Sequence, residues 1–217
     1  MDIESNLARI QDRIANAAAR AGRSPEAIKL VAVTKSVGPD EVETLHRLGV
    51  KAFGENRLPG VADKKGRLGG AGEWHMVGNV QRRKCPDVVT LFHWVDAVDR
   101  LKLAEALQRR CEEAGKRLDV LLEVNVSGED SKHGVRPADA PALIESMAQL
   151  DRLTVRGLMT MAPYVEDPEE TRPVFTGLRH LGEQVGLPEL SMGMSNDFEV
   201  AVEEGATQLR IGAALFE

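Results

Sequence analysis

The sequence predicts an α/β fold: a single closed (β/α)8 barrel, or TIM barrel, preceded by one extra N-terminal helix. Short apolar runs alternate with amphipathic segments along the 217 residues, eight such runs occur, and no long linker, low-complexity tract or obvious repeat interrupts them. Strands that alternate with helices pair in parallel, and eight consecutive units favour closure. An open doubly wound sheet stays the alternative, because the second and seventh runs are short. One domain over residues 1–217 is the simplest organisation.

Hydrophobic periodicity defines the individual elements. Apolar residues recur at helical spacing from Ile3 to Ile14 and predict a first helix over residues 3 to about 21, which Gly22 ends. Later helices carry the usual boundary signals, such as proline at the start or glycine at the end. The predicted strands are residues 29–34, 51–53, 73–77, 91–95, 118–126, 153–159, 189–192 and 207–211.

Composition narrows the class of protein. A net charge of -6 gives no electrostatic reason to expect nucleic acid or an anionic membrane surface as a partner. The compact basic run 82–84 is interpreted as a solvated helix face. No apolar stretch of membrane-spanning length and no signal peptide is recognised, so the protein is expected in the cytoplasm. Cys85 and Cys111 lack metal-type spacing and are expected to be reduced and structural.

Candidate functional residues collect where the predicted strands end, which is where barrels of this kind place their sites. Lys35 follows the first apolar run. It is either a rim lysine whose stem packs on the barrel or an amine that attacks an aldehyde, and an apolar barrel mouth would favour the neutral, nucleophilic amine. The loop 193–196 is either a phosphate-binding turn or a plain helix cap, because Asn196 and Glu199 have capping-box spacing. An amine paired with a phosphate loop points to pyridoxal 5'-phosphate (PLP).

Other polar residues leave alternatives open. Arg210 in the eighth strand would keep a neighbouring pyridine nitrogen unprotonated, or it pairs with a carboxylate. His75 and His93 show no recurrent ligand spacing and are interpreted as core or rim histidines, so no metal is assigned. The Gly-containing segment 127–134 lacks the spacing of a P-loop and is predicted to be a mobile rim loop.

Several motifs together resemble one known family, the pyridoxal phosphate homeostasis proteins (YggS/PROSC). The resemblance spans nearly the whole chain, and several motifs in the correct order are far more specific than any one alone. The motifs are Val31-Ala32-Val33-Thr34-Lys35, Phe53-Gly54-Glu55-Asn56-Arg57, residues 74–81, Leu158-Met159-Thr160-Met161, residues 190–197 and residues 210–216.

The resemblance implies a barrel like the N-terminal domain of alanine racemase, with PLP held as a Schiff base. By position, Lys35 would carry that bond, Asn56 would lie near the ring, and Arg210 would face the pyridine nitrogen. Serine and glycine residues would hold the phosphate, and two methionines would shape the pocket. These residues are Ser191, Met192, Gly193, Met194, Ser195 and Gly212.

The sequence departs from the family pattern in three places. Asn79 stands where a histidine is usual, and residues 58–60 replace a polar helix start at the rim. Ala213 stands where the family often has a threonine or serine, which removes one hydroxyl from the expected phosphate site but leaves its backbone N–H.

The leading hypothesis is a PLP-binding protein that buffers the cofactor in vitamin B6 homeostasis or delivers it to PLP-dependent apoenzymes, without robust turnover. Racemisation needs proton donors on both faces of the ring. Tyr164, the one tyrosine, lies in a Pro-flanked loop, and no second domain is expected beyond Glu217. A weak single-domain racemase or transaminase that uses Lys35 is the alternative. A monomer is expected.

Overall fold

A closed barrel of eight parallel strands forms the centre of the molecule. The computed structural model describes residues 2–129 and 132–217. Each strand pairs with the next in chain order and the last pairs with the first, which confirms the predicted (β/α)8 fold over the open sheet. The strands are β1 Lys29–Val33, β2 Ala52–Glu55, β3 Glu73–Met76, β4 Trp94–Val98, β5 Leu118–Glu123, β6 Leu153–Met159, β7 Glu189–Ser191 and β8 Gln208–Ile211.

Helices connect the strands and surround the barrel. The predicted first helix is confirmed, and Gly22 and Gly186 follow their helices with positive φ angles of 65° and 70°, which glycine adopts without strain. None of the helices in the described ranges is long and apolar enough to cross a membrane. Their bounds are α1 Ile3–Arg20, α2 Pro39–Arg47, α3 Val61–Arg67, α4 Cys85–Leu91, α5 Leu101–Ala114, α6 Ala140–Met147, α7 Arg172–Val185, α8 Phe198–Glu203 and α9 Ala213–Phe216.

The predicted strand bounds differ from the structure most in the fourth and fifth strands, and elsewhere by at most two residues. The fourth strand begins at Trp94 and not at residue 91, because Leu91 is the last residue of α4. The fifth strand ends at Glu123 and not at residue 126, because the Asn125 side chain folds the chain back on itself. Its Oδ1 accepts from the Gly128 N–H at 3.0 Å and its Nδ2 donates to the Glu129 carbonyl at 2.9 Å.

Charged side chains occupy part of the barrel interior. His75 is fully buried between two carboxylates, with Nδ1 3.0 Å from Asp96 Oδ1 and Nε2 2.9 Å from Glu73 Oε1. Burial lowers the pKa of His75, but the two carboxylates outweigh it and the net pKa is raised. The ring also stacks on Trp94, with centroids 5.1 Å apart. His75 is therefore a core histidine, one of the two interpretations that the sequence favoured.

Helix α1 stabilises the C-terminal turn of the chain, which borders the barrel mouth. The Asn6 Nδ2 donates to the carbonyls of Leu215 at 3.2 Å and Glu217 at 2.9 Å. An ion pair of 2.7 Å joins Arg13 on α1 to Glu199 on α8. The extra helix is thus attached beside the segment that follows β8.

Candidate cofactor site

A cavity of about 750 Å³ opens where the strands end. Six of the nine residues predicted for the cofactor site line it: Lys35, Asn56, Met194, Ser195, Arg210 and Gly212. A larger cavity of about 930 Å³ lies among residues such as Lys29, Lys51 and Glu73, at the strand starts. Because (β/α)8 barrels carry their sites at the strand ends, the smaller cavity is the candidate site.

Lys35 lies just beyond β1, with its side chain at the cavity. Lys35 is exposed, in contrast to the predicted apolar mouth that would favour the neutral amine. Protein atoms alone therefore do not shield this amine from water. The position is nevertheless fixed by its neighbour, because Thr34 is fully buried and its N–H donates to the Gly54 carbonyl at 2.9 Å.

A buried network that the sequence analysis missed supports both Lys35 and Asn56. Lys64 on α3 donates to Glu55 Oε1 at 2.6 Å and to the Thr34 carbonyl at 2.8 Å. The Thr34 hydroxyl donates to the same Glu55 oxygen at 2.6 Å. Thr34 and Glu55 directly precede the two cavity residues, so the network positions their backbone.

One signal could have indicated this network. Lys64 lies three residues after the buried Val61, and residues so spaced share one face of a helix. A lysine on the buried face of a helix needs a carboxylate or carbonyl partner. Glu55, a lone acid within the second predicted motif, is that partner.

Close packing against glycine fixes the place of Asn56. A Cβ on Gly78 would lie 2.8 Å from both the Cβ and the carbonyl oxygen of Asn56. Any larger residue would therefore displace the Asn56 backbone. This contact explains why glycine stands after β3.

Arg210 is a fixed cation at the inner wall of the cavity. Its Nη1 donates to the Ser191 hydroxyl at 2.6 Å and its Nη2 to the Thr160 carbonyl at 2.8 Å. Burial lowers the pKa of the guanidinium, against the influence of Asp96, Asp197 and Glu123. Arginine stays charged in proteins, so the cavity has a permanent donor whose direction is set by its two partners.

The other residues predicted around β7 lie at different depths. Ser191 and Met192 are fully buried, Ser191 behind Arg210 and Met192 in the apolar core, and neither lines the cavity. Gly193 has a φ of 93°, and a Cβ there would lie 2.6 Å from that of Ala201. Gly193 therefore allows the loop to approach α8. Ser195 lines the cavity, and its Oγ accepts from the Ala214 N–H at 3.2 Å.

The structure does not form the capping box that was one of the two interpretations of Asn196 and Glu199. The N-cap of α8 is Asp197, and its Oδ1 accepts from the Met194 N–H at 2.6 Å, which closes the loop. Asn196 instead donates from its side chain to the Val165 carbonyl at 3.0 Å.

Two of the three departures from the family pattern line the cavity. Asn79 and Ala213 line it, and Asn79 Nδ2 lies 3.4 Å from Asp99 Oδ2. Residues 58–60 come immediately before α3. In the segment 127–134, Asp130 and Ser131 lie outside the described residues, so the mobile-loop prediction there stays a prediction.

Glu123 is a cavity residue that the sequence analysis did not identify. It ends β5, is only 3% exposed and lines the cavity. Burial and then the Asp99 carboxylate raise its pKa to about 6, against the influence of His133 and Arg210. Its position in the sequence could have identified it, because it is a lone acid near the end of a strongly apolar run.

Fold and site together define a class of protein. Residues 5–217 match the family described as alanine racemase, N-terminal domain. The pyridoxal phosphate homeostasis protein of Aquifex aeolicus is 41% identical over 223 residues, which cover 100% of this chain and 98% of the relative. The chain belongs to the pyridoxal phosphate homeostasis protein family.

Two solved structures agree with this assignment. An unknown protein from Bifidobacterium adolescentis has a TM-score of 0.93 at 33% identity, covering 99% of this chain and 94% of its own. PipY of Synechococcus elongatus, solved with PLP bound, has a TM-score of 0.80 at 33% identity, covering 94% of this chain and 100% of its own.

Proposed function

We propose that residues 1–217 form a single PLP-binding domain that holds the cofactor as a Schiff base on Lys35 and buffers it or delivers it to apoenzymes. The observation that carries this proposal is the juxtaposition of Lys35 and Arg210 in one cavity at the strand ends. The PLP-bound structure of PipY, 33% identical, supports it further.

The cavity residues fit the chemical groups of PLP. Lys35 supplies the amine, and Ser195 and the backbone at Gly212 line the same cavity and would hold the phosphate. Asn56 would contact the ring. Arg210 donates and cannot accept, so it would stabilise an unprotonated pyridine nitrogen and weaken the ring as an electron sink.

Capture and release are one reversible condensation at Lys35. The neutral Nζ attacks the aldehyde carbon, a C=N bond forms, and the aldehyde oxygen leaves as water. Addition of water to the same bond restores the free lysine and the aldehyde. The cofactor supplies the aldehyde, and the protein supplies an oriented amine and an anion-binding wall.

The contacts favour a carrier over an enzyme. Racemisation needs a second acid–base group held on the opposite face of the ring. Tyr164 lines the cavity mouth but is 89% exposed, so it is not held against a bound ring.

We also propose that the protein acts as a monomer in the cytoplasm.

Reductive trapping tests the attachment site. The protein is mixed with PLP, reduced with borohydride and mapped by mass spectrometry, beside Lys35→Ala and the control Lys51→Ala. Lys51 is exposed and lines the cavity at the opposite end of the barrel. One adduct at Lys35, kept in the control and lost in Lys35→Ala, is expected. Scattered adducts that Lys35→Ala leaves unchanged would overturn the proposal.

Isotope exchange separates carrier from enzyme. The loaded protein is incubated with single amino-acid enantiomers in deuterated water, and α-proton exchange is followed by NMR. We expect at most stoichiometric exchange. Sustained turnover that depends on Lys35 would reject the carrier hypothesis and support a weak racemase or transaminase.

A further inference from the structure

Glu123 is a buried acid at the cavity, and one of its two carboxyl oxygens has no hydrogen-bond partner among the described residues. Among the residues that the structure describes, its Oε2 is one of four buried side-chain polar atoms without one. The residue is 3% exposed and lines the same cavity as Lys35 and Arg210. Burying a carboxyl oxygen without a hydrogen-bond partner costs free energy. A ligand that forms a hydrogen bond with this group would remove that cost.

We propose that Glu123 binds the cofactor in its protonated form, so that capture takes up a proton and loss of that proton promotes release. The inference rests on the proposed function and adds a regulatory residue to the same cavity.

The charges around Glu123 do not hold it ionised. The Asp99 carboxylate beyond β4 opposes ionisation, while His133 beyond β5 and Arg210 on β8 favour it. Arg210 directs two of its donors to Ser191 and Thr160. Together with burial these groups leave the pKa of Glu123 raised to about 6. The other charged residues lining the cavity are Lys35, Asp197 and Glu217.

The ligand presents mainly acceptors. PLP carries a phosphate, a phenolic oxygen and a pyridine nitrogen, which Arg210 would keep unprotonated. An ionised carboxylate is also only an acceptor, whereas a neutral carboxyl group has one O–H to donate. An anionic ligand beside Glu123 therefore raises its pKa further, as a like charge does.

Proton linkage gives this arrangement a measurable consequence. A group that is ionised in the free protein and neutral in the complex takes up a proton on binding. In the free protein the pKa of Glu123 is about 6. At higher pH, ionisation of Glu123 would lower the affinity for PLP by up to about tenfold for each pH unit. Other proton exchanges that accompany capture add their own pH dependence, which a matched variant must cancel.

Calorimetry with Glu123→Gln isolates the contribution of this residue. Glutamine keeps the shape and a donor but cannot ionise. PLP binding is measured in two buffers of different ionisation enthalpy, which gives the number of protons taken up. At a pH of about 7.5, wild type is expected to take up about one proton more than the variant, and at about pH 5 the difference should vanish. Glu105→Gln, at an exposed carboxylate of α5 that does not line the cavity, is the control and should match wild type.

The outcomes separate the two proposals. Lys35 adducts in both proteins with equal proton uptake at both pH values would overturn the role of Glu123 alone. Absence of any Lys35 adduct in wild type would overturn the proposed function and this inference with it. If Glu123→Gln does not fold, infrared difference spectra of wild-type loading at about pH 7.5 decide. A new protonated-carboxyl band supports the inference, and its absence rejects it.

Discussion

Lys64 Nζ lies 2.6 Å from Glu55 Oε1, and both side chains are buried, at 7% and 3% exposure. The pair joins α3 to the end of β2. Through the Thr34 hydroxyl and carbonyl it also reaches the end of β1. One ion pair thus supports the two strand ends from which Lys35 and Asn56 extend.

Removal of one partner of this pair should be strongly destabilising. Lys64→Met leaves the Glu55 carboxylate buried without its cation, and such a loss typically costs about 3–5 kcal/mol. Urea unfolding without PLP measures it. The exposed Lys102→Met on α5 is the control and should change the free energy of unfolding by less than about 0.5 kcal/mol. The double variant Lys64→Met with Glu55→Gln should recover part of the loss. A loss in Lys64→Met no larger than in the control would contradict this account.

The bond between Arg210 and Ser191 gives a second prediction. Ser191→Ala removes the acceptor of a guanidinium N–H that is buried, at a cost of about 1–3 kcal/mol. PLP affinity should fall as well, because Arg210 loses one of the two contacts that direct it. Denaturant unfolding and PLP titration test the two effects, with the exposed Ser5→Ala as control. Unchanged stability together with unchanged affinity would show that Ser191 does not orient Arg210.

The sequence allowed the barrel to be predicted but not every strand end. The alternation of apolar runs with amphipathic segments indicates which residues are buried. Burial in turn determines that the strands form the inner layer and the helices the outer one. The end of β5 depends instead on the Asn125 side chain bonding to Gly128 and Glu129, a local contact that periodicity does not contain. The start of α8 likewise depends on a local contact. Its N-cap is Asp197, which accepts from the Met194 N–H, and not Asn196.

The candidate site was predictable where a residue type implies a chemistry. A lysine after a strand, an arginine in a strand and a serine–glycine loop each point to a group of the cofactor. Lys64 and Glu123 were missed because their importance comes from burial and from residues distant in the chain. Met192 was placed at the cavity by position in a motif, yet it packs in the core.

The His75 cluster predicts a pH dependence of stability with a definite sign. The pKa of His75 is raised in the folded protein above its unfolded value of about 6.5. Its charged form therefore stabilises the fold below about pH 6.5, and this contribution is lost as the pH rises through the higher folded pKa. The free-energy advantage of wild type over His75→Gln should shrink as the pH is raised. Urea unfolding across this range measures it.

His93 provides a control of opposite sign. Burial is the main cause that lowers its pKa, and its Nδ1 accepts from the Trp74 N–H at 3.0 Å. The neutral form is favoured in the folded state, so its contribution is present at higher pH and is lost as the pH falls. The advantage of wild type over His93→Gln should therefore grow as the pH is raised. Parallel trends for the two variants would reject the assignment of charge to His75.

A pair of glycine substitutions tests whether packing against Asn56 shapes the cofactor cavity. A methyl group on Gly78 would contact the Cβ and the carbonyl oxygen of Asn56 at 2.8 Å, and backbone atoms cannot move aside at little cost. Gly78→Ala should lower the free energy of unfolding by about 1–3 kcal/mol. It should also weaken PLP binding, because Asn56 lines the cavity.

The matched control is Gly66→Ala in α3. A Cβ there meets nothing within 4 Å, and its φ is not in the left-handed region. Alanine in a helix interior is more stable than glycine by about 0.5–1 kcal/mol, so Gly66→Ala should stabilise the protein and leave PLP binding unchanged. Urea unfolding and spectrophotometric PLP titration of both variants give the comparison. If Gly78→Ala binds PLP as wild type does, the place of Asn56 does not control the cavity, because the added methyl group must shift that residue.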